Sequence, residues 1–462
     1  MKPKQLVGIA LTALILIAMM FIPGNESLTP AGIRTMGMLI AFLVMLITAP
    51  FRPFHTGLFF LALMPVFGAA PTFADALSGF ANPVIPFVIA SFGIAAAFIT
   101  LPLSKRILVA ILRKFGKNIR IAMLALMLCA GITSVFIFSV PTCAVFLTIA
   151  MNFLDVYDDP EDKKKTGRAV MIAIPVAIMI GAVSTPISSA INLIAVDKLE
   201  EFTGITITFV EWMAAGFPVA VVTMPVAWQL ILRIHKPAEI SEDMVDRFIR
   251  ELNIPPKLSK PEIKVIIITS IMLVLWIASS WVKSINVMVV AVLGACVFCV
   301  PQLKILKFEE FADNIGWDSI FLSVAVLSMG DLMVSNGVSG WIVSILPELH
   351  APTPVLIAFT AVLFFILLMI IPIAPSLVII MASPLIALAV GAGSSPAVVM
   401  LTAAISGCCC FLLPLDTVPL LTYSKGYYSI KDMFISSLPI QLFIVLVLSL
   451  WLTFIGRALG LA

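Results

Sequence analysis

The sequence predicts an all-α polytopic membrane protein of about 11 transmembrane helices plus two re-entrant hairpins, arranged as an inverted-topology repeat. Three observations predict it. Of 462 residues, 61% are apolar and 11% charged, against roughly 45–50% and about 25% in a soluble domain, and the apolar character runs from end to end. Two long apolar stretches, 121–154 and 355–390, are each broken near the middle by Pro and Ser. The same series of features then recurs in the two halves. The short alternating segments of a membrane β-barrel do not occur.

A spanning helix needs about 20 mostly apolar residues. In order, the candidates are Leu6–Ile22, Met36–Ala49, Gly57–Ala70 and Val84–Leu103. Leu6–Ile22 has the look of a secretory signal, but no small-residue cleavage site follows it and many further spans do, so it reads as the first membrane helix. Residues 121–154 are too long for one span, and their halves are short for two. The break Ser139-Val140-Pro141-Thr142 makes them a hairpin that enters, turns and leaves on the same side. Ala169–Val183, with a continuation to Val196, is broken at Ser184-Thr-Pro-Ile-Ser-Ser-Ala-Ile-Asn192, and Phe209–Leu232 closes the half. After a charged linker come Val265–Trp281, Val287–Val300 and Ile320–Val334. Residues 355–390 form the second hairpin, broken at Pro372-Ile373-Ala374-Pro375-Ser376. Ala397–Leu413, running into a break through residue 420, and Phe434–Ile455 complete the chain.

Charge sets the orientation. With the N-terminus in the cytoplasm and each hairpin returning to its own side, only Lys198, Lys283 and Arg457 of the 28 Lys and Arg fall outside, and Arg34 lies within the second span. That asymmetry satisfies the positive-inside rule. It predicts a plasma (inner) membrane protein with a cytoplasmic N-terminus and an outer C-terminus. The first hairpin then enters from the cytoplasm and the second from outside. The repeat divides the chain into 1–234, a solvated cytoplasmic linker 235–264, and 265–462. Glu211-Trp-Met-Ala-Ala-Gly-Phe-Pro218 parallels Asp432-Met-Phe-Ile-Ser-Ser-Leu-Pro439, and the break 184–192 parallels Leu413-Pro-Leu-Asp-Thr-Val-Pro419.

Several function classes drop out. A net charge of +3 with scattered bases gives no nucleic-acid surface. No GxxxxGK[ST], His-Glu-x-x-His or Gly-x-Ser-x-Gly occurs, so the chain does not read as an ATP-driven pump or an enzyme, and no organic cofactor is expected. The seven cysteines sit in apolar stretches, which suits packing rather than a disulfide framework. His55, His235 and His350 fall at span ends.

The helix breaks carry the chemistry. Unpaired backbone groups within a membrane are tolerated only where they are buried in protein or line a cavity. Helix N-termini there attract anions, while unwound carbonyls and helix C-termini suit a small cation. Ser139, Thr142, Ser188, Ser189, Ser376 and Thr417 supply hydroxyls at the breaks and are the candidate substrate ligands. Each could equally bond back to its own helix. Ser139, Ser376 and Asp416 are the candidates for a coupling cation, sodium at the hairpin tips or a proton on Asp416. Asp331 is a second intramembrane carboxylate, and Arg34 reads as a snorkelling side chain.

At these breaks the chain resembles the divalent anion/sodium symporter family, the sodium-coupled dicarboxylate and sulfate carriers. The resemblance covers nearly the whole length. It rests on Gly79-Phe-Ala-Asn-Pro83, Asn314-Ile-Gly-Trp-Asp318, Ser188-Ser-Ala-Ile-Asn192, Asp416-Thr-Val-Pro-Leu420 and Gly426-Tyr-Tyr-Ser-Ile-Lys-Asp-Met433. The family's hairpin tips usually carry Ser-Asn-Thr. Here they read Phe138-Ser139-Val140 and Ala374-Pro375-Ser376, without either asparagine. The resemblance implies a homodimer in the lipid bilayer. Each protomer would have a scaffold and a moving transport domain, linked by an interfacial arm at Ser104–Gly116 in an elevator-type mechanism. The expected activity is secondary transport of small dianions, C4-dicarboxylates first. The alternative is sodium-independent exchange or proton coupling, with dicarboxylate, tricarboxylate, sulfate or sulfonate as cargo. A cation/proton antiporter is the more distant reading, since only Asp331 and Asp416 offer membrane carboxylates and both lie in one half.

Overall fold

The computed structural model describes residues 3–24, 28–115, 118–345, 351–370 and 374–460, and the described residues are helical or irregular, with no strand among them. The first half holds α1 (Pro3–Phe21), α2 (Pro30–Thr48), α3 (Pro53–Val66), α4 (Phe73–Ala76), α5 (Val84–Ile99), α6 (Leu103–Phe115), α7 (Ile119–Phe136), α8 (Ser139–Leu154), α9 (Pro160–Gly181), α10 (Ala190–Thr203) and α11 (Phe209–His235). The linker carries α12 (Glu242–Glu251). The second half holds α13 (Lys260–Ala278), α14 (Val287–Phe298), α15 (Phe308–Asp313), α16 (Trp317–Ser335), α17 (Val338–Ile345), α18 (Thr353–Ile370), α19 (Ala374–Gly391), α20 (Pro396–Cys408), α21 (Thr417–Tyr423) and α22 (Ile430–Ala458). Among the described residues, eight helices are long and apolar enough to cross a membrane, or nine if the pair α5 and α6, bent by 54° at residues 100–102, is counted as one span.

Local chemistry explains the boundaries. Pro opens α2, α9 and α13 at the first helical turn, where its missing N–H costs nothing. Asp159 and Ser259 cap α9 and α13 through their side chains. The parallel segments at Glu211 and Asp432 have one local cause. Each acid is the third residue of its helix and completes a capping box, with Thr208 for α11 and with Ser429 for α22.

Two predicted spans end early. The one placed at Ala169–Val183 stops at Gly181, and an irregular stretch with a 3-10 turn at Pro186–Ser188 precedes α10. The one placed at Ala397–Leu413 stops at Cys408, and the chain stays irregular to Asp416. Lys198, expected in an outer loop, lies inside α10 with its side chain 2% exposed. Cys296, expected to pack, is on the outer face of α14. Of the second hairpin tip, Pro372 and Ile373 lie outside the described residues, as do His350 and Gly116.

Packing sorts the helices into two bodies. In one, α1, α2, α3 and α4 pack with one another and with α16, and α5 packs on α14 and α15. In the other, α7 to α11 pack with α18 to α22. The second is tight: a Cβ on Gly181 would sit 2.3 Å from the Gly131 carbonyl oxygen, so only glycine lets α7 and α9 approach this closely. The bodies meet where α16 and α17 lie on α19, and where α5 lies on α8 and α10. The arm α6 leaves α5 and packs on α7. Arg106 fastens it to the linker, donating to Glu262 and to the carbonyls of Pro255 and Lys257.

Candidate functional site

The four breaks converge on one cavity of about 140 Å³ at the seam between the bodies. Ser139 and Val140 open α8, Ala190 and Ile191 open α10 behind Ser189, Thr417 and Val418 open α21 behind Asp416, and Pro375 stands in the first turn of α19. The first turns of four helices therefore line the same space. The C-terminal ends of two others complete it, through Met179 and Ala182 of α9 and Gly407 and Cys408 of α20. Val88 of α5 and Ser319, Leu322 and Ser323 of α16 form the facing wall.

Two of these N-termini are left open. Phe138 stands at the cap position of α8 and has no side-chain acceptor. Ser189 stands at that of α10, but its hydroxyl makes no cap bond and lies beside the Cys408 thiol. The leading N–H groups of both helices are thus free of side-chain caps, which is the local condition for holding an anion. Among the described residues, the Ser139 and Thr417 hydroxyls carry no hydrogen bond, and both residues reach the cavity.

Ser139, Ser189, Asp416 and Thr417 are brought together here. Thr142, Ser188 and Ser376 are not part of the cavity wall. Thr142 is buried and donates back to the Phe138 carbonyl at 3.0 Å. Ser188 donates to the carbonyls of Ala182 and Thr185, which also accept from Asn192 Nδ2 at 3.0 and 2.8 Å. These two side chains satisfy backbone that the broken helix has freed. Ser376 is 1% exposed in the first turn of α19, and its hydroxyl has no partner among the described residues.

Asp416 does two things. Its Oδ1 accepts from the Val418 N–H at 3.0 Å and caps α21, and it also lines the cavity. It is the only carboxylate there, and no Lys, Arg or His joins it among the described residues. Asp331 is remote from this wall. It accepts from Ser78 and pairs with Lys198. Arg34 lies against Gly68 at the end of α3. A larger apolar groove of about 640 Å³ between α1, α2 and α3, lined by residues such as Leu16 and Phe59, lacks convergent polar groups.

Sequence reasoning passed over Ser319, Ser323 and Cys408. The two serines are four residues apart in an otherwise apolar run, a signal for one polar face of a helix.

The model of the sodium:sulfate symporter transmembrane region matches residues 3–461. The chain belongs to the sodium:sulfate symporter family. Among relatives of this family member, the sodium-dependent dicarboxylate transporter SdcS of Staphylococcus saprophyticus is 22% identical over 93% of this chain and 87% of the relative. SdcS of Staphylococcus aureus is 21% identical over the same shares. A membrane protein of Cupriavidus necator is 24% identical over 71% of this chain and 67% of its own. Two solved structures share the fold. MtrF of Neisseria gonorrhoeae, from a class of antimetabolite efflux pumps, aligns over 98% of this chain and 94% of its own at a TM-score of 0.56 and 11% identity. The YdaH transporter of Alcanivorax borkumensis covers 99% and 98% at 0.54 and 12%. The protein is therefore an integral membrane transporter of a small-anion carrier family and not an enzyme.

Proposed function

We propose that this protein is a cation-coupled secondary transporter of small dianions, with C4-dicarboxylates as first cargo, working by an elevator-type movement of the body that carries the four breaks. One observation carries the reading: the first turns of α8, α10, α19 and α21 line a single cavity at the seam between two packed bodies. The uncapped N-termini of α8 and α10 each present about half a positive charge and free N–H groups, so a dianion is held without any basic side chain. A volume of about 140 Å³, four to five waters at roughly 30 Å³ each, suits a small anion over a bulky one. In the family architecture α7–α8 and α18–α19 are re-entrant hairpins and the other apolar segments make about 11 spans. The recurring order of elements is the inverted repeat of 1–234 and 265–462. The protein sits in the inner membrane as a homodimer, its N-terminus cytoplasmic and its C-terminus outside.

Asp416 explains the need for a cation. An ionised carboxylate about 5 Å from a substrate carboxylate costs roughly 3 kcal/mol per charge pair at an effective dielectric of about 20. Substrate and an ionised Asp416 thus oppose each other unless a cation enters with the cargo. Sodium, held by Asp416 with Ser139 and the C-terminal carbonyls of α9 and α20, supplies that charge, and the names of the SdcS relatives favour it. A proton on Asp416 would do the same.

The test is uptake of labelled succinate into proteoliposomes under an imposed sodium gradient, a proton gradient, or internal unlabelled succinate alone. Uptake that follows sodium is the expected result. Uptake that follows only the proton gradient moves the coupling to protonated Asp416. Uptake only against internal succinate overturns cation coupling in favour of exchange, and no uptake in any arm overturns succinate as cargo.

A further inference from the structure

Lys198 is a lysine with its side chain 2% exposed in a chain with few charges, and the transport site does not use it. Its ammonium lies 2.6 Å from Glu201 Oε2, one turn along α10, and 3.2 Å from Asp331 Oδ1 on α16. The other Asp331 oxygen accepts from Ser78 at 3.0 Å, and the Ser78–Ala81 turn is tied to α16 by the Gly79 N–H bond to Ser328. Asp197, beside the lysine, is bonded by Asn82. The ion pair therefore joins the two bodies, α10 on one side and α16 with the 78–82 segment on the other.

We propose that Lys198 and Asp331 form a latch that holds the moving body at one end of its travel, the cytoplasmic end. This rests on the elevator reading above. The cavity faces Ser319 to Ser323, the first turns of α16. Asp331 stands eight residues further along the same helix, about 12 Å away at 1.5 Å per residue, toward its outer end. With the cargo site against the cytoplasmic half of α16, the pair closes on the outer side of it. When the body slides outward, α10 carries Lys198 past Asp331 and the 3.2 Å contact parts.

The arrangement also makes parting cheap. Lys198 is buried whereas the Asp331 side chain is over a third exposed, so it is the ammonium that would be stranded as an uncompensated charge if left without a partner. Here Glu201 travels with Lys198 on α10, and Ser78 stays with Asp331 on the stationary body. Each charge keeps a partner throughout the stroke.

The test reads the position of the body in intact cells. Thr417→Cys, on a background with Cys296→Ser, Cys299→Ser and Cys408→Ser (Cys408 lines the same cavity), is labelled from outside with a membrane-impermeant maleimide. Asp331→Asn should raise the outside labelling rate about tenfold, the ratio that 1.4 kcal/mol gives, and Asp331→Lys should raise it at least as much. The exchange Lys198→Glu with Asp331→Lys should return it toward the starting rate, which a variant that merely loosens the fold would not do. Thermal unfolding of each purified variant identifies any that has lost its fold, and the charge exchange then decides. Succinate uptake by the wild type with no change in labelling in Asp331→Asn overturns the latch alone. Absence of anion uptake by the wild type overturns the transport reading and the latch with it.

Discussion

The breaks after α9 and after α20 dispose of their backbone in opposite ways. In the first, residues 182–189, the freed carbonyls are taken by the protein itself. Ala182 and Thr185 accept from Ser188 and Asn192, Val183 accepts from the Trp212 indole, and the Thr185 hydroxyl reaches the Val135 carbonyl on α7. In the second, residues 409–416, Gln441 holds the Cys409 carbonyl, and the remaining polar investment is Asp416, which caps α21 and faces the cavity. Similar sequence punctuation, Pro with hydroxyls in an apolar run, thus builds a locked joint in one half and an ionisable wall in the other. The first break satisfies its own backbone; the second turns a carboxylate toward the cavity.

Five substitutions test that contrast, and the largest effect belongs to the locked joint. Asn192→Leu removes two donors at once and leaves the buried carbonyls of Ala182 and Thr185 to share the single hydroxyl proton of Ser188, so one of them is stranded at about 1–3 kcal/mol. It should lower the thermal unfolding midpoint in detergent more than any other change here and abolish uptake, whereas wild-type stability would show that the joint is not held by this side chain. Asp416→Asn comes next and should act in the opposite sense. Asn caps a helix as well as Asp, so the unfolding midpoint should stay put while gradient-driven accumulation falls about tenfold or more. A drop in stability of the same size as for Asn192→Leu would reduce Asp416 to a cap. Ser188→Ala leaves both carbonyls with Asn192 as a donor and should cost about 1 kcal/mol with uptake per folded molecule kept. The smallest change is expected from Ser139→Ala or Thr417→Val. Either should raise the half-saturation concentration for the anion a few-fold, with stability within about 0.5 kcal/mol of wild type. An unaltered half-saturation concentration would remove that hydroxyl from the cargo contact.

Much of the fold was legible because the membrane simplifies the code. Among the described residues the apolar runs placed as spans are helical, because in hydrocarbon every backbone group must be satisfied within its own segment, and Pro with hydroxyl residues marked the breaks. The helix ends were less legible. α9 stops at Gly181, before Ser184 and Pro186, and α20 at Cys408, before Pro414. Within an irregular stretch there is no period, so adjacent serines cannot be told apart: Ser188 turns to backbone while Ser189 faces the cavity. Ser319 and Ser323 escaped because small polar residues on a membrane helix are also the pattern of a helix-packing seam. The partnership of Lys198 with Asp331, 133 residues apart, has no local signal at all.

The clamp on the arm has a consequence for how the chain is made. Arg106 finds its acceptors on residues 255–262, and its carboxylate partner Glu262 is 156 residues further along the sequence. While the ribosome is still building the first half, that guanidinium has nothing to seat against. The arm can be pinned only once the linker has emerged. Assembly therefore has an order, in which the arm is fastened only after the start of the second half has been made.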